Sequence, residues 1–214
     1  MMQALRALAA VITLATTFAL AAPPTTAELE EICAQADDAQ QCGRLVEAMQ
    51  LKRLPNLAMR DGGVLSVSLY PSGTATFTDS DDPVDGRFYS LWDYLDGLNA
   101  VLLYTTAGEN TTFILLQRTT NRRIELPTEP QLAPDRQRLV TADVCETRCS
   151  NEIAIWRVTH EGIHKELIWI PGAAWIDAGA KWKDADTLSI EYTTPSGIGK
   201  IERPLSDASW KRVQ

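Results

Sequence analysis

Short runs of apolar or alternating residues, separated by turn signals, fill the chain from Gly62 onward and constrain its fold more than any other feature. The runs include AVLLYTT, TFILLQR, EIAIWRVT and TLSIEYT, and the breaks include Pro71-Ser72-Gly73, Gly108-Glu109-Asn110 and Pro195-Ser196-Gly197. Runs of this length that are rich in β-branched and aromatic residues are typical of strands, and the spacing leaves almost no room for helices. We therefore predict an antiparallel, mainly β domain over residues 62–214.

The strands recur along the chain behind an aspartate. The fourth residue after each of Asp96, Asp135 and Asp184 begins or continues an apolar run. The period is about 40 residues, which is the blade length of a β-propeller. A third, less regular copy spans residues 182–205, and residues 62–91 are expected to supply a fourth set of strands. The pattern predicts three or four propeller-like units, with an open β stack or a sandwich as the alternatives.

One of these copies resembles a known repeat. The sequence Pro134-Asp135-Arg136-Gln137-Arg138-Leu139-Val140, followed by EIAIW at 152–156, is similar to the turn and strand of bacterial periplasmic WD-like propeller repeats. Arg136 stands where the family has Gly, and this is the one copy that carries the Pro-Asp pair. The layout of most of the chain also resembles uncharacterised exported bacterial proteins. The resemblance implies a protein that presents binding surfaces, and it implies no particular activity.

Residues 1–22 have the composition of a secretory signal peptide. Arg6 precedes an uncharged apolar run from Ala7 to Leu20, and Ala19-Leu20-Ala21 offers the small residues that a signal peptidase accepts. The run is shorter than the about 20 residues that a membrane-spanning helix requires. We expect export to a periplasmic or secreted location and a mature chain without a transmembrane segment. A retained membrane anchor is the alternative.

Residues 23–55 differ in composition and predict a short helical lead segment. They are rich in Glu, Gln and Ala and lack β-branched runs. Thr26 is expected to cap the first helix, Asp37-Asp38 to separate it from a second, and Pro55 to end the second. Thirty residues bury too little surface to fold alone, so the segment is expected to pack on the β domain.

The four cysteines, Cys33, Cys42, Cys145 and Cys149, are an even number in a chain expected to be exported. This favours disulfide bonds. A four-thiolate zinc site is the alternative, but the spacings C-x8-C and C-x3-C differ from the C-x2-C pairs usual for zinc. Four cysteines permit three pairings, and the short spacings favour Cys33–Cys42 and Cys145–Cys149.

His160-Glu161-Gly162-Ile163-His164 matches H-E-x-x-H and contains both histidines of the chain. In a zinc hydrolase the motif lies on a helix, where the two His bind the metal and the Glu acts as a base toward the bound water. Here the flanking residues are β-branched and aromatic, and Gly162 interrupts the motif. We expect a hairpin with solvated histidines and no metal. A zinc site formed by His160, Glu161 and His164 is the alternative.

The segment from Asp79 to Asp85 carries four carboxylates, and Gly86 follows it. Such a cluster can supply oxygen ligands for Ca²⁺, but Pro83 breaks the EF-hand spacing and no flanking helices are predicted. We expect a solvated acidic loop between strands, with a calcium site as the alternative. Among the tryptophans, Trp156 and Trp169 are expected in the core.

The charge balance excludes one class of partner. The chain has 20 Lys and Arg against 28 Asp and Glu, a net charge of −8. A nucleic-acid binder needs clustered cations to neutralise phosphates, and no such cluster is present. No nucleophile elbow, phosphate-binding loop or dinucleotide fingerprint occurs either.

The sequence therefore favours a non-enzymatic binding or interaction module without a cofactor, whose partner is an envelope protein or polymer. Two other functions remain open, a zinc-dependent hydrolase and a structural or inhibitory accessory protein of the envelope. The sequence does not fix the oligomeric state.

Overall fold

The computed structural model describes residues 23–82, 86–159, 161–172 and 174–213. The signal peptide predicted for residues 1–22 lies outside them. Within the described residues the helices are α1 (Thr26–Cys33) and α2 (Ala39–Arg53). The strands are β1 (Ala58–Asp61), β2 (Val64–Ser68), β3 (Thr74–Thr78), β4 (Phe88–Leu95), β5 (Ala100–Ala107), β6 (Asn110–Gln117), β7 (Arg122–Leu126), β8 (Gln131–Leu132), β9 (Arg138–Asp143), β10 (Glu152–Val158), β11 (Ile163–Trp169), β12 (Asp177–Trp182), β13 (Thr187–Thr194), β14 (Gly197–Pro204) and β15 (Lys211–Arg212).

The strands form four open antiparallel sheets. Their orders are β1-β2-β3, β4-β5-β6-β7, β15-β11-β10-β9-β8 and β12-β13-β14. We call them the first, second, third and fourth sheets in that order. Each sheet is a meander of consecutive strands, apart from β15, which follows the fourth sheet and pairs with β11 of the third. The prediction of a mainly β, antiparallel chain behind a disulfide-linked pair of helices is confirmed.

The aspartates that mark the repeat lie in the turns that lead into the second strands of the second, third and fourth sheets. In two of these turns the carboxylate accepts a hydrogen bond from a backbone N–H two residues ahead. Asp135 Oδ1 accepts from Gln137 N at 2.9 Å, and Asp184 Oδ1 accepts from Asp186 N at 2.9 Å. This local bond favours the turn over a continued strand, which is why the same residue recurs.

Arg136 occupies a conformation that glycine adopts readily, with φ of 58°. The turn before β9 therefore contains a left-handed residue at Arg136, the position where the predicted resemblance to periplasmic repeats expects Gly.

Two predicted boundaries are wrong. Residues 62–91 do not form one unit, because β1 begins earlier, at Ala58, and β4 pairs with β5 in the second sheet. The cap of α1 is Thr25 and not Thr26. A capping box needs a glutamate three residues after the cap, and Thr25 with Glu28 meets this condition.

The two disulfide bonds pair the cysteines as the spacing predicted, Cys33 with Cys42 and Cys145 with Cys149. The first joins α1 to α2, and the second closes the loop between β9 and β10. Disulfides of this kind are compatible with a periplasmic or extracellular location. Among the described helices, none is long and apolar enough to span a membrane.

Three hydrophobic clusters join successive sheets. One lies between the first and second sheets, one between the second and third, and one between the third and fourth. Their fully buried members include Leu65 and Leu103, then Leu115 and Leu139, then Ile155 and Leu188. Trp156 is buried in the middle cluster as predicted, whereas Trp169 is half-buried at the margin of the third. Each sheet is thus stabilised by its neighbour along the chain.

Helix α2 covers the free edge of the second sheet. β4 pairs with β5 on one side only, so the backbone groups on its other side need partners. Leu91 N donates to Glu47 Oε2 at 2.9 Å, and Gln50 Nε2 donates to Trp92 O at 2.6 Å. Polar side chains of a helix therefore replace the missing strand.

Glu47 is also the centre of a buried ion network. Arg60 binds it in two places, with Nε to Oε1 at 2.9 Å and Nη2 to Oε2 at 2.7 Å. The same guanidinium reaches Asp79 Oδ2 at 3.0 Å, and Arg44 contacts both acids. Both arginines also donate to Tyr89 O, and Tyr89 N donates to Asp79 Oδ1 at 3.0 Å. Two cations and two anions thus fix α2, the first sheet and β4 to one another.

We expect Glu47→Gln to lower the free energy of unfolding by about 3–5 kcal/mol, because Arg60 and Arg44 lose a buried counter-ion while their own charges remain. Urea unfolding followed by tryptophan fluorescence measures this. The matched control is Glu109→Gln, which removes an exposed partner of Arg148 and should change stability far less. Equal effects of the two substitutions would contradict a structural role for the network.

Candidate functional site

A groove with two lobes lies where α2 ends against β4. The lobes have volumes of about 220 and 390 Å³ and share Arg53, Leu54 and Tyr94. We call them the first and second lobes of the α2-end groove. The first lobe is completed by Pro55, Asn56, Leu57 and Arg118, and the second by Pro23, Asp93, Leu95, Asp96, Gly97, Leu132 and Arg136.

The groove forms because α2 stops abruptly. Pro55 disfavours the helical conformation of the residue before it, and Leu54 accordingly leaves the helix with φ −124° and ψ 53°. The chain then turns so that Leu54 and Leu57 are both buried in the cluster between the first two sheets. Their side chains give the first lobe an apolar floor.

Arg118 is a polar side chain of the first lobe that the protein holds in position through both its backbone and its guanidinium. Its backbone is held at both ends, because its N donates to Asn99 O at 3.2 Å and its O accepts from Tyr70 N at 3.0 Å. Its side chain donates from Nε to Ser68 O at 2.7 Å and from Nη1 to Asn99 Oδ1 at 2.7 Å. The guanidinium also lies 5.6 Å from the centre of the Tyr94 ring. All of these acceptors are neutral.

Arg53, which borders both lobes, differs in this respect. Its Nη2 forms an ion pair with Asp93 Oδ1 at 2.5 Å, and its Nε donates to Gln50 Oε1 at 2.7 Å. Within the described part of the chain, neither Arg118 nor Arg136 has a carboxylate at ion-pair distance. The groove therefore contains one neutralised guanidinium and two that have no counter-ion.

Two carboxyl groups have raised pKa values, Asp93, which lines the second lobe, and Glu129, which lies outside it. Burial raises the pKa of Asp93, and the Arg53 cation and hydrogen bonds only partly oppose it. Burial also raises the pKa of Glu129, to which the nearby charge of Asp93 adds, although Trp92 Nε1 donates to Glu129 Oε1 at 2.9 Å. Perturbed carboxyl groups beside a concavity are a feature of functional sites.

A further cleft, of about 350 Å³, lies between the third and fourth sheets. Glu129, Asp143 and Asp177 line it, together with Lys181 and the Cys149 end of the second disulfide. In the described residues, no group of three His, Cys, Asp or Glu side chains is placed to hold a metal ion.

Residues 161–164 of the H-E-x-x-H segment lie in the β-hairpin formed by β10 and β11, as predicted. His164 is exposed on β11 opposite Arg157 of β10, and Glu161 is in the turn between the strands. Thr159 N donates to Gly162 O at 2.8 Å and closes that turn. His160 lies outside the described residues. Over residues 161–169 the chain therefore lacks the helix that places both histidines of the motif on one metal.

The acidic segment divides between two roles. Asp79 is not part of a solvated loop, because its carboxylate is bound by Arg60, Arg44 and Tyr89 N. Its oxygens are thereby committed to the protein, so the set of four carboxylates considered for calcium is incomplete. Asp81 and Asp82 are exposed, and Asp85 lies outside the described residues.

Sequence reasoning missed Arg118, Tyr94 and Asn99. None belongs to a motif, since Arg118 merely ends the apolar run of β6 and Asn99 precedes β5. One signal was available: asparagine adopts left-handed conformations more readily than most residues, and Asn99 has φ of 45°. Comparison of the chain with family models, curated proteins and solved structures finds no match. The resemblance to WD-like propeller repeats stays a prediction.

The raised pKa of Glu129 predicts how the stability of the protein changes with pH. A carboxyl group whose folded-state pKa exceeds its ordinary value of 4.5 contributes stability below that pH and loses it as the pH rises through the folded-state value. Glu129→Gln removes this loss and keeps an acceptor for Trp92 Nε1. The variant should therefore be more stable than the unmodified protein at pH 7, and the difference should shrink as the pH falls toward 4.5.

Urea unfolding at several pH values between about 4 and 8 measures the difference in the free energy of unfolding between the variant and the unmodified protein. This range begins near the ordinary pKa of a glutamate carboxyl group. Glu125→Gln, at an exposed position on β7, is the matched control and should leave the pH profile unchanged. A constant offset between Glu129→Gln and the unmodified protein across this range would show that titration of Glu129 does not contribute.

Proposed function

We propose that the chain is an exported, non-enzymatic binding module and that the α2-end groove holds its ligand. Export is supported by the composition of residues 1–22 and by the two disulfide bonds. Binding is supported by the form of the groove, since ligand sites are concave, mostly apolar and equipped with a few fixed polar groups.

The observation that carries the proposal is that hydrogen bonds within the protein hold the polar groups of the groove in place. Asn99 Oδ1 accepts hydrogen bonds from Tyr94 Oη at 3.1 Å and from Arg118 Nη1 at 2.7 Å. Ser68, at the end of β2, holds the same guanidinium from the first sheet. A side chain fixed in advance loses little conformational entropy when a ligand binds, which raises affinity.

The position of the groove also supports a binding role. It is built from the end of α2, from β4 and from the turn after β6, and these elements are fastened by the Glu47 network and by the cluster between the first two sheets. Functional groups on rigid elements are held more precisely than groups on free loops.

The two carboxyl groups with raised pKa values support binding over catalysis. Asp93 is engaged by Arg53, and Glu129 accepts from Trp92 Nε1. Both acids thus have structural partners. The partner that we propose is a component of the cell envelope, a protein or a polymer, that presents a small group to the groove.

A bulky residue at the rim should close the groove. Asn56 is exposed and lines the first lobe, so Asn56→Trp is expected to abolish binding there while leaving the fold intact. The measurement is a screen of small organic fragments by NMR on the ¹⁵N-labelled protein, in which the shift changes should cluster on the amides of Leu57, Leu95 and Gly97.

Ser196→Trp is the matched control, since Ser196 is equally exposed but lies in the turn between β13 and β14. It should leave the hits of the screen unchanged. Hits that all map elsewhere, such as the cleft between the third and fourth sheets, or hits on Leu57 that survive Asn56→Trp, would contradict the assignment of the groove.

A further inference from the structure

We propose that the first lobe binds a carboxylate with a short apolar tail, and that Arg118 is the residue that binds the carboxylate. This inference rests on the proposed function and adds to it the chemical class of the ligand.

The first step is the charge of Arg118. A half-buried cation without a counter-ion has lost part of its hydration and gained no opposite charge in return. The three arginines on α2 and β1 are different, because Arg44, Arg53 and Arg60 are each paired with acids. Arg118 thus brings a positive charge to the first lobe of a chain with a net charge of −8, and the acceptors that its guanidinium meets at Ser68 and Asn99 are neutral.

The second step is the donors that remain. A guanidinium has five N–H groups in a planar fork that matches the two oxygens of a carboxylate. Nε and Nη1 of Arg118 are used by Ser68 O and by Asn99 Oδ1, while Nη2 makes no hydrogen bond within the described residues. The protein contacts thus fix one side of the fork and leave the other side for a ligand.

The third step is the charge that the lobe can neutralise. A phosphate group carries nearly two negative charges at neutral pH and is usually bound by several cations. Arg53 also borders the first lobe but is already neutralised by Asp93. One unpaired guanidinium therefore matches a single negative charge, which favours a carboxylate.

The fourth step is size and polarity. The first lobe has a volume of about 220 Å³, which corresponds to about seven water molecules at about 30 Å³ each. Leu54 and Leu57 form its floor, and Pro55 stands beside them. An aliphatic segment of four to six carbons is of the order that such a lobe accommodates. The carboxylate then lies at Arg118 and the tail over the leucines.

Hexanoate and its neutral analogue hexanamide form the test pair, because they share a tail and differ in charge. We expect hexanoate to bind the purified protein, with NMR shift changes at the first lobe. The affinity of hexanamide should be lower by a factor of at least about 10. Arg118→Gln should weaken hexanoate binding by about 10- to 100-fold and leave hexanamide unaffected. Arg212→Gln, at an exposed arginine on β15 outside the groove, is the matched control and should change neither.

Arg118→Gln also removes hydrogen bonds to Ser68 and Asn99, so a second variant keeps the test independent of folding. Asn56→Asp leaves those bonds intact and adds a negative charge to the same lobe. It should weaken hexanoate and not hexanamide.

The source of the carboxylate is resolved by a second pair, N-acetyl-leucine and its amide. Tighter binding of N-acetyl-leucine than of hexanoate assigns the lobe to a peptide C-terminus. Tighter binding of hexanoate assigns it to a free aliphatic acid. Both outcomes support the proposal. Equal binding of acids and amides in the lobe would overturn the carboxylate inference while the proposed binding function stands. If no acid binds there while fragments still do, the inference also fails alone. If neither fragments nor acids bind in the groove, the proposed function fails with it.

Discussion

The carboxylate of Glu47 is the contact on which the arrangement of the molecule depends. It accepts from the backbone of β4 and from Arg60 of the first sheet, while its own backbone belongs to α2. An edge strand without a neighbour exposes donors and acceptors that must be satisfied, and here the helix satisfies them with side chains. The position of α2 follows from this contact. The groove lies where α2 ends, so its place in the molecule depends on the same contact.

Much of the fold is encoded locally and could be predicted. The strands follow from short alternating runs, the turns at Asp135 and Asp184 from a side chain that bonds the backbone two residues ahead, and the disulfides from short spacings. The Glu47 network could not be predicted, because glutamate and arginine on a helix usually face solvent. In addition, the sequence around Glu47 gives no sign that its partner is β4, more than forty residues later. Asp79 was misassigned to an acidic loop for the same reason, since its partners are distant along the chain.

The candidate site was equally hidden from sequence, for a different reason. Its distinguishing property is that Arg118 has no carboxylate partner among the described residues. Such an absence becomes visible only when the neighbours of the side chain in space are known. Asp93 contributes to this pattern by neutralising Arg53. A single acid thereby decides that the first lobe, which two arginines border, attracts one negative charge and not two. The neutral acceptors Ser68 O and Asn99 Oδ1 complete the effect, because they orient the guanidinium without cancelling its charge.

The return of β15 to the third sheet has a consequence for how the molecule comes apart. The chain leaves the third sheet after β11, builds the whole fourth sheet and then pairs again with β11 at Leu167 and Ile168. The fourth sheet is therefore an insertion between two neighbouring strands of the third, tied at both of its ends. It cannot separate as an independent unit by opening one connection. Loss of the two-residue strand β15, and of the buried Trp210 beside it, would remove one of these two connections. The fourth sheet would then be joined to the third only through the segment after β11 and could open independently.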